Sequence, residues 1–315
     1  MNQSSLLSLA HGKKLRCEKF LDEMNAVVPW SKFVSLLENK YHKNSNVGRN
    51  RFDLVLMLKI YCLQQWYALS DPGAEEAVYD RTSFQKFLGL DLLCDRVPDE
   101  TTILNFRHFL EENRFRQKLF NEINKLLSDK GFIVKTGTIV DATIISAPSS
   151  TKNKAGKRDP EMSSTRKHGQ WFFGMKAHIG ADTKNGLVHS LSTSTAKVHD
   201  KKVEEALYHG DELVRVGDSG YYDEKQKRAM RQAGIIWLIT DRGKRGHKLS
   251  SSQRKHNRKI SSIRGKVELP FQVLKCQWKY TKVRYKGLAK NTAQLFMLFG
   301  LANLYRLRKK LILAG

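Results

Sequence analysis

The chain has 315 residues, 40% of them hydrophobic and 28% charged, which is the balance of a soluble globular protein long enough for two or three domains. Its net charge of +25 is lopsided: from Arg242 to Gly315 there are twenty Lys or Arg and a single acid, Glu268, an excess that points to a polyanion, most simply nucleic acid. No segment reads as amphipathic and lipid-facing, the longest apolar stretch (Asn291–Tyr305) is too short and too polar to span a bilayer, no signal-peptide core opens the chain, and the scattered Cys17, Cys62, Cys94 and Cys276 form neither a zinc site nor a disulfide framework, so a cytoplasmic location is expected.

Residues 1–50 read as a basic, partly disordered lead and one short helix, begun at Pro29-Trp30-Ser31 and carrying Phe33, Val34, Leu36 and Leu37, followed by a loop at Lys43–Asn50. Leu54, Val55, Leu58, Tyr61, Cys62 and Gln65 then mark a strong helix, and Ser70-Asp71-Pro72 has the cap and first-position proline of the next. A short helix holds Phe84, Phe87 and Leu88. Asp99 caps another, with Ile103, Phe106 and Leu110 inward and Thr101, Thr102, Asn105, Arg107 and His108 displayed, and Phe115–Leu127 continues the helical period. Residues 1–130 are thus expected to be all helical. Asn105 and Arg107 are side chains able to read base edges, although most polar helix faces are merely solvated.

At Gly131 the pattern becomes extended. Phe132-Ile-Val134 and Thr138–Ile145 read as strands, Ser146–Gln170 as a long polar loop, and Trp171–Ile179 and Leu187–Leu191 as two strands joined by the turn Asp182-Thr-Lys-Asn-Gly186. A helix capped by Asp200 should face Val203, Ala206 and Leu207 inward. A buried strand Leu213–Val216, a helix Lys225–Gln232 and a strand Ile235–Ile239 complete a mixed sheet covered by helices. Trp171 and Trp237 lie in strand patterns and are expected in the core, with stacking on an unpaired base as the alternative.

Three acids stand out. Asp141 interrupts the apolar run Ile139, Val140, Ile144, Ile145, where a carboxylate is costly to bury without a partner or a metal. Asp218 follows the buried strand, at the end where α/β sheets place their chemistry. Glu268 sits on a long helix in which Arg264, Glu268 and Lys275 share one polar stripe beside an apolar stripe of Ile260, Ile263, Val267, Phe271, Leu274 and Trp278. Pro270 removes one helical hydrogen bond, a cost of about 3 kcal/mol, yet the apolar spacing continues through it, so a kink is expected there and not a stop. Three carboxylates without a His or Cys cluster are hard oxygen ligands suited to magnesium or manganese, in a pair able to act on a phosphodiester. The bland alternatives are that Glu268 neutralises Arg264, Asp218 is a turn residue and Asp141 caps a bulge. Asp241, Asp182 and Asp223 compete for a place in the site.

Thr138-Ile-Val-Asp141-Ala-Thr, Gly217-Asp218-Ser-Gly220-Tyr221 and Arg264-x3-Glu268-x6-Lys275 closely resemble the DDE transposases of bacterial insertion sequences, specifically the insertion sequence five family. The similarity covers nearly the whole chain. It includes Leu63–Pro72, Asp99–His108, Ala147–Lys154 and Tyr285–Thr292. This resemblance implies a ribonuclease-H-like mixed sheet flanked by helices at 131–290, behind an all-helical DNA-binding or dimerisation domain at 1–130 and followed by a C-terminal helix with a basic tail at 291–315. It assigns metal ligation and catalysis to Asp141, Asp218 and Glu268 with two Mg2+ or Mn2+ ions, and DNA contacts to Arg264 and Lys275. The tyrosine of the related Tyr-Arg-Glu-Lys signature is replaced by Ser261 here.

Only 50 residues separate Asp218 from Glu268, which leaves no room for the large insert some relatives carry. DNA ends must then be held elsewhere: by Lys152, Lys154 and Lys157 of the polar loop, by Arg258, Lys259, Lys266 and Arg284 of the basic C-terminal region, and by Asn105 and Arg107. The expected activity is cleavage and strand transfer at terminal inverted repeats of double-stranded DNA by a nucleoid-associated homodimer. The alternatives are a non-catalytic DNA-binding regulator and a metal-dependent nuclease that cleaves without joining.

Overall fold

The computed structural model of the protein describes residues 13–41, 51–154, 156–167, 169–243 and 248–314. The expected loop at Lys43–Asn50 and the first twelve residues of the basic lead lie outside the described residues. The chain divides into two compact units, one of Met1–Glu122 with Leu304–Gly315 and one of Ile123–Asn303.

The first unit is helical among the described residues: α1 (Arg16–Val27), α2 (Trp30–Tyr41), α3 (Leu54–Tyr67), α4 (Asp71–Asp80), α5 (Thr82–Leu88), α6 (Glu100–Glu112) and the start of α7 (Phe115–Asp129). Helix starts follow the capping chemistry in the sequence. Asp53, Ser70 and Asp99 each accept a hydrogen bond from the backbone N–H three residues on, at 2.9, 3.0 and 2.7 Å. α3 is buried on nearly every side, from Leu54 through Met57, Leu58, Ile60, Tyr61 and Leu63 to Trp66, as a helix at the centre of a bundle must be. Trp66 meets Phe20 and Phe87 edge-on at centroid distances of 5.3 and 5.8 Å.

The second unit is built on a six-stranded sheet: β1 (Gly137–Ser146), β2 (Ser163–Lys167), β3 (Gln170–Asp182), β4 (Val188–Thr195), β5 (Val214–Gly217) and β6 (Ile236–Ile239). The order is β2-β3-β1-β5-β6, with β4 also paired to β3. β3 is antiparallel to β1, β2 and β4, while β5 runs parallel to β1, and β6 parallel to β5. Helix α8 (Glu224–Gln232) links β5 to β6, α9 (Ser251–Gln272) packs across β1 and β5, and α10 (Leu288–Ala314) ends the described chain. No helix among the described residues is long and apolar enough to cross a membrane.

Five local expectations are corrected. Phe132–Val134 is not a strand, because the N–H groups of Phe132 and Ile133 bond to the carbonyl of Leu127 and cap α7 behind Gly131 at φ 71°. The loop after β1 contains β2, an exposed edge strand whose Ser-Ser-Thr-Arg-Lys sequence shows no apolar alternation. The helix expected after Asp200 is two 3-10 turns, Asp200–Lys202 and Glu204–Leu207, and Ala206 is exposed. Trp171 is 70% exposed near the β2–β3 turn, and Leu213 is 62% exposed just ahead of β5. Trp237, by contrast, packs on the cluster of Val140, Leu207, Tyr221 and Ile239.

Pro270 does not stop α9. The helix runs on to Gln272 and then widens into a π turn at Val273–Gln277, while Ile260, Val267, Leu274 and Trp278 stay buried along the expected stripe. At the other end, Ser250 and Gln253 form a reciprocal capping box, with hydrogen bonds of 3.2 and 2.9 Å.

Within this unit Asn303 is fully buried. Its amide nitrogen donates to the carbonyl of Val188 at 2.7 Å and to Asn124 Oδ1 at 3.0 Å, and its oxygen accepts from the N–H of Val188 at 2.9 Å. It thereby serves the backbone groups at the start of β4. Asn303→Leu leaves that N–H and carbonyl without their partner, and a buried polar group so stranded costs about 1–3 kcal/mol. Urea unfolding is expected to show a loss of roughly that size per stranded group; an unchanged midpoint would contradict this account.

Candidate active site

Asp141 lies in the middle of β1, opposite Ile179 of β3. Its side chain is 19% exposed; Oδ1 accepts the N–H of Ala142 at 2.8 Å, and Oδ2 faces Arg264 Nη2 at 3.7 Å. Burial pushes its carboxyl up to about 6, and the charge of Asp218 pushes the same way. The Ala142 N–H and the cations Arg264 and Lys167 oppose this without overcoming it. Asp218 follows β5, where the parallel register Ile139–Val216, carried on by two residues, sets position 218 beside position 141. Its Oδ1 accepts the N–H of Gly220 at 2.7 Å and caps the 3-10 turn Ser219–Tyr221. One carboxylate therefore sits in mid-strand and the other just past the end of the adjacent parallel strand.

Glu268 is exposed on α9, one turn beyond Arg264. α9 packs on β1 and β5, and it is Arg264, one turn before Glu268, that faces Asp141. Yet among the described residues no three Asp, Glu, His or Cys side chains are gathered closely enough to hold a metal. Asp141 and Asp218 fit a divalent cation by their chemistry: both offer hard oxygen atoms, and Asp141 is raised by burial and by a neighbouring acid, the condition a bound cation relieves. Glu268 does not join them here.

The cations proposed from sequence fall into two groups. Lys152, Lys154, Lys157, Arg258 and Lys259 are exposed. Others already have intramolecular partners. Lys275 Nζ, in the π turn, donates to Thr143 Oγ1 at 2.6 Å and to the carbonyl of Ile144 at 2.9 Å, and burial lowers its pKa. Lys266 Nζ donates to the carbonyl of Thr183 at 2.7 Å. The Arg284 guanidinium lies 5.8 Å from the Tyr280 ring centre. Arg107 is not displayed on α6 as expected. It turns to Asp71, with Nη2 2.8 Å from Oδ2; burial pushes Asp71 up, but hydrogen bonds from Arg107 and Gln64 outweigh it and leave its carboxyl below its usual value. Asn105 is exposed, and beside Tyr41, Arg51, Phe52 and Arg96 it lines a cavity in the helical unit.

The competing acids are committed elsewhere. Asp241 Oδ2 meets His256 Nδ1 at 3.0 Å, Asp182 holds its own turn through the N–H groups of Lys184 and Asn185, and Asp223 caps α8 and pairs with Lys201. Sequence reasoning missed Lys167, the last residue of β2, whose charge acts on both Asp141 and Lys275. The signal available was Gly169, at φ 82°, placed to turn a hairpin between Thr165-Arg-Lys167 and Gln170-Trp-Phe172.

A carboxyl whose folded-state pKa is raised costs the fold its ionised form. That cost is fully present above pH 6 and fades as pH falls towards 4. Asp141→Asn is therefore expected to stabilise the protein in chelator at pH 7.5, by about 3 kcal/mol at 1.36 kcal/mol per unit, with a smaller gain at pH 4.5. Denaturant titrations showing equal gains at both values would refute this.

A family model described as "Transposase DDE domain" matches residues 99–304, and one described as "Transposase domain (DUF772)" matches residues 10–109. Among solved structures, the chain is similar to the piggyBac transposase synaptic complex with hairpin DNA, at 10% identity over 95% of this chain and 75% of that one, with a TM-score of 0.42. It is also similar to the Mos1 strand transfer complex, at 12% identity over 89% of this chain and 92% of that one, with a TM-score of 0.20. The DDE-domain match alone spans well over half of the chain and includes Asp141, Asp218 and Glu268: the protein belongs to the transposase DDE-domain family.

Proposed function

We propose that this protein is a DNA transposase of the insertion sequence five family, which binds the terminal inverted repeats of its element, cuts the strand there and joins the freed end to a target. The observation that carries this is the juxtaposition of Asp141 in β1 with Asp218 just past the end of the parallel strand β5, against a helix whose Asp, Glu, Lys and Arg side chains are all cationic except Glu268. The order β4-β3-β1-β5-β6, antiparallel on one side of β1 and parallel on the other, supports a ribonuclease-H-like core.

Asp141 and Asp218 would hold Mg2+ or Mn2+, with Glu268 as the third ligand supplied from α9. Two such ions would activate a water or a 3′-hydroxyl and stabilise the leaving oxygen of an in-line displacement. The rest falls to the chain's own residues. Arg264 faces Asp141 and offsets part of its charge while no cation is bound. Lys275 ties the π turn to β1 at Thr143 and Ile144, fixing the strand two residues past Asp141. Arg258 and Lys259, exposed on α9, and Lys152, Lys154 and Lys157, exposed in the segment after β1, grip the sugar-phosphate backbone as point charges that carry no sequence information. Two copies act on two paired ends.

Duplexes carrying the element's ends, incubated with the protein and Mg2+, test this. Asp141→Asn, Asp218→Asn and Glu268→Gln are each expected to lower cleavage by roughly 100-fold or more, several kcal/mol of lost transition-state stabilisation, while binding to the ends is kept. Wild-type cleavage by Glu268→Gln would remove that residue from the site. Cleavage without joined product would identify a nuclease, and binding without cleavage a regulator. Affinity for the ends is also expected to fall by about 1,000-fold between 50 and 200 mM salt, as for six or more phosphate contacts; a flat dependence would contradict the role given to the exposed cations.

A further inference from the structure

We propose that the β3–β4 turn is a clasp on α9, and that Gly186 and Lys266 are positioning residues that hold α9 in the rotation and register at which Arg264 faces Asp141 and from which Glu268 would reach a metal held by the two aspartates. This rests on the site proposed above. Pro270 has no N–H to offer the carbonyl of Lys266, four residues earlier. Against that same carbonyl stands Gly186, at φ 64°: a Cβ built on it would lie 2.6 Å from the Lys266 oxygen and 2.8 Å from the Lys266 Cβ. Only a residue without a side chain can come so close, and its conformation also favours glycine. The second half of the clasp is the Lys266 side chain, which reaches back to the turn and donates from Nζ to the carbonyl of Thr183 at 2.7 Å.

The turn is a firm base for such a contact. The buried carboxylate of Asp182 accepts N–H groups of Lys184 and Asn185 at 3.1 and 2.9 Å, the N–H of Gly186 bonds to the carbonyl of Asp182 at 2.9 Å, and Asn185 Nδ2 donates to the carbonyl of Phe132 at 2.7 Å. Lys266 stands midway between Arg264, which faces Asp141, and Glu268. A contact at its backbone and its ammonium together fixes both the rotation and the axial register of α9 where those two residues leave it. The residue is thus withdrawn from the cationic surface that holds DNA and assigned to geometry.

The experiment uses the full chain and Mn2+ alone as probe, with binding followed by electron paramagnetic resonance and compared with DNA affinity measured in EDTA. Lys266→Met and Gly186→Ala are expected to weaken Mn2+ binding about 10- to 100-fold, the usual effect of removing an outer partner, with DNA affinity and its salt slope in EDTA unchanged. Lys266→Arg, which keeps a donor for Thr183, is expected to restore most of the loss. Should Gly186→Ala fail to fold, the lysine pair decides alone. Wild-type Mn2+ binding by Lys266→Met overturns the clasp. So does a drop in DNA affinity with a salt slope reduced by about one, which marks a phosphate contact. Glu268→Gln separates the two levels: if it weakens Mn2+ binding while Lys266→Met does not, the clasp fails and the metal site stands, and if Glu268→Gln binds as wild type, the metal site fails and the clasp with it.

Discussion

Two like charges held side by side are the constraint on which the catalytic unit turns. Asp141 is half-buried in the middle of a strand and Asp218 caps a turn at the end of the next, so neither carboxylate can move away from the other without undoing backbone structure. The protein alone answers this only in part, with one guanidinium at 3.7 Å and the more remote charge of Lys167. On the reading proposed above, a cation supplied from outside would complete that neutralisation.

The elements around the pair hold that geometry from several sides. β1 is fixed by β3 on one edge and β5 on the other, its far end is tied down by Lys275, and α9 lies across it. Pro270, which by propensity should weaken α9, leaves the Lys266 carbonyl without its helical N–H, and Gly186 of the β3–β4 turn stands against that carbonyl. The break in local hydrogen bonding and the tertiary contact coincide, and a sequence that breaks a local rule where the fold needs a contact is what consistency across levels leads one to look for at a functional site.

Much of this was legible in the residues. Asp141 and Asp218 stood out because each is a charge set against an apolar strand, and the strands themselves follow from β-branched runs. The caps at Asp53, Ser70 and Asp99 were legible because capping is local. What was hidden depends on distant partners. Nothing near Arg107 announces that Asp71, on another helix, will take its guanidinium, and nothing near Lys266 or Lys275 announces that backbone carbonyls of Thr183 and Ile144 will take their ammonium groups. β2 escaped notice because this edge strand buries no residue and so carries no hydrophobic alternation. The distance of Glu268 from the aspartates could not be read from its stripe on the helix, since a stripe gives direction and not depth.

The first turns of α9 have one more consequence. Arg254 and Arg258, and Lys255 and Lys259, stand four apart on the same exposed surface, the spacing at which like charges destabilise a helix. Dissolved ions screen that repulsion. Ionic strength therefore acts on this helix in opposite senses: it firms the helix in the free protein and loosens the hold of the same side chains on a polyanion. The phosphates of a bound strand would do at close range what salt does diffusely, so that the helix is most completely formed when the surface it presents is occupied.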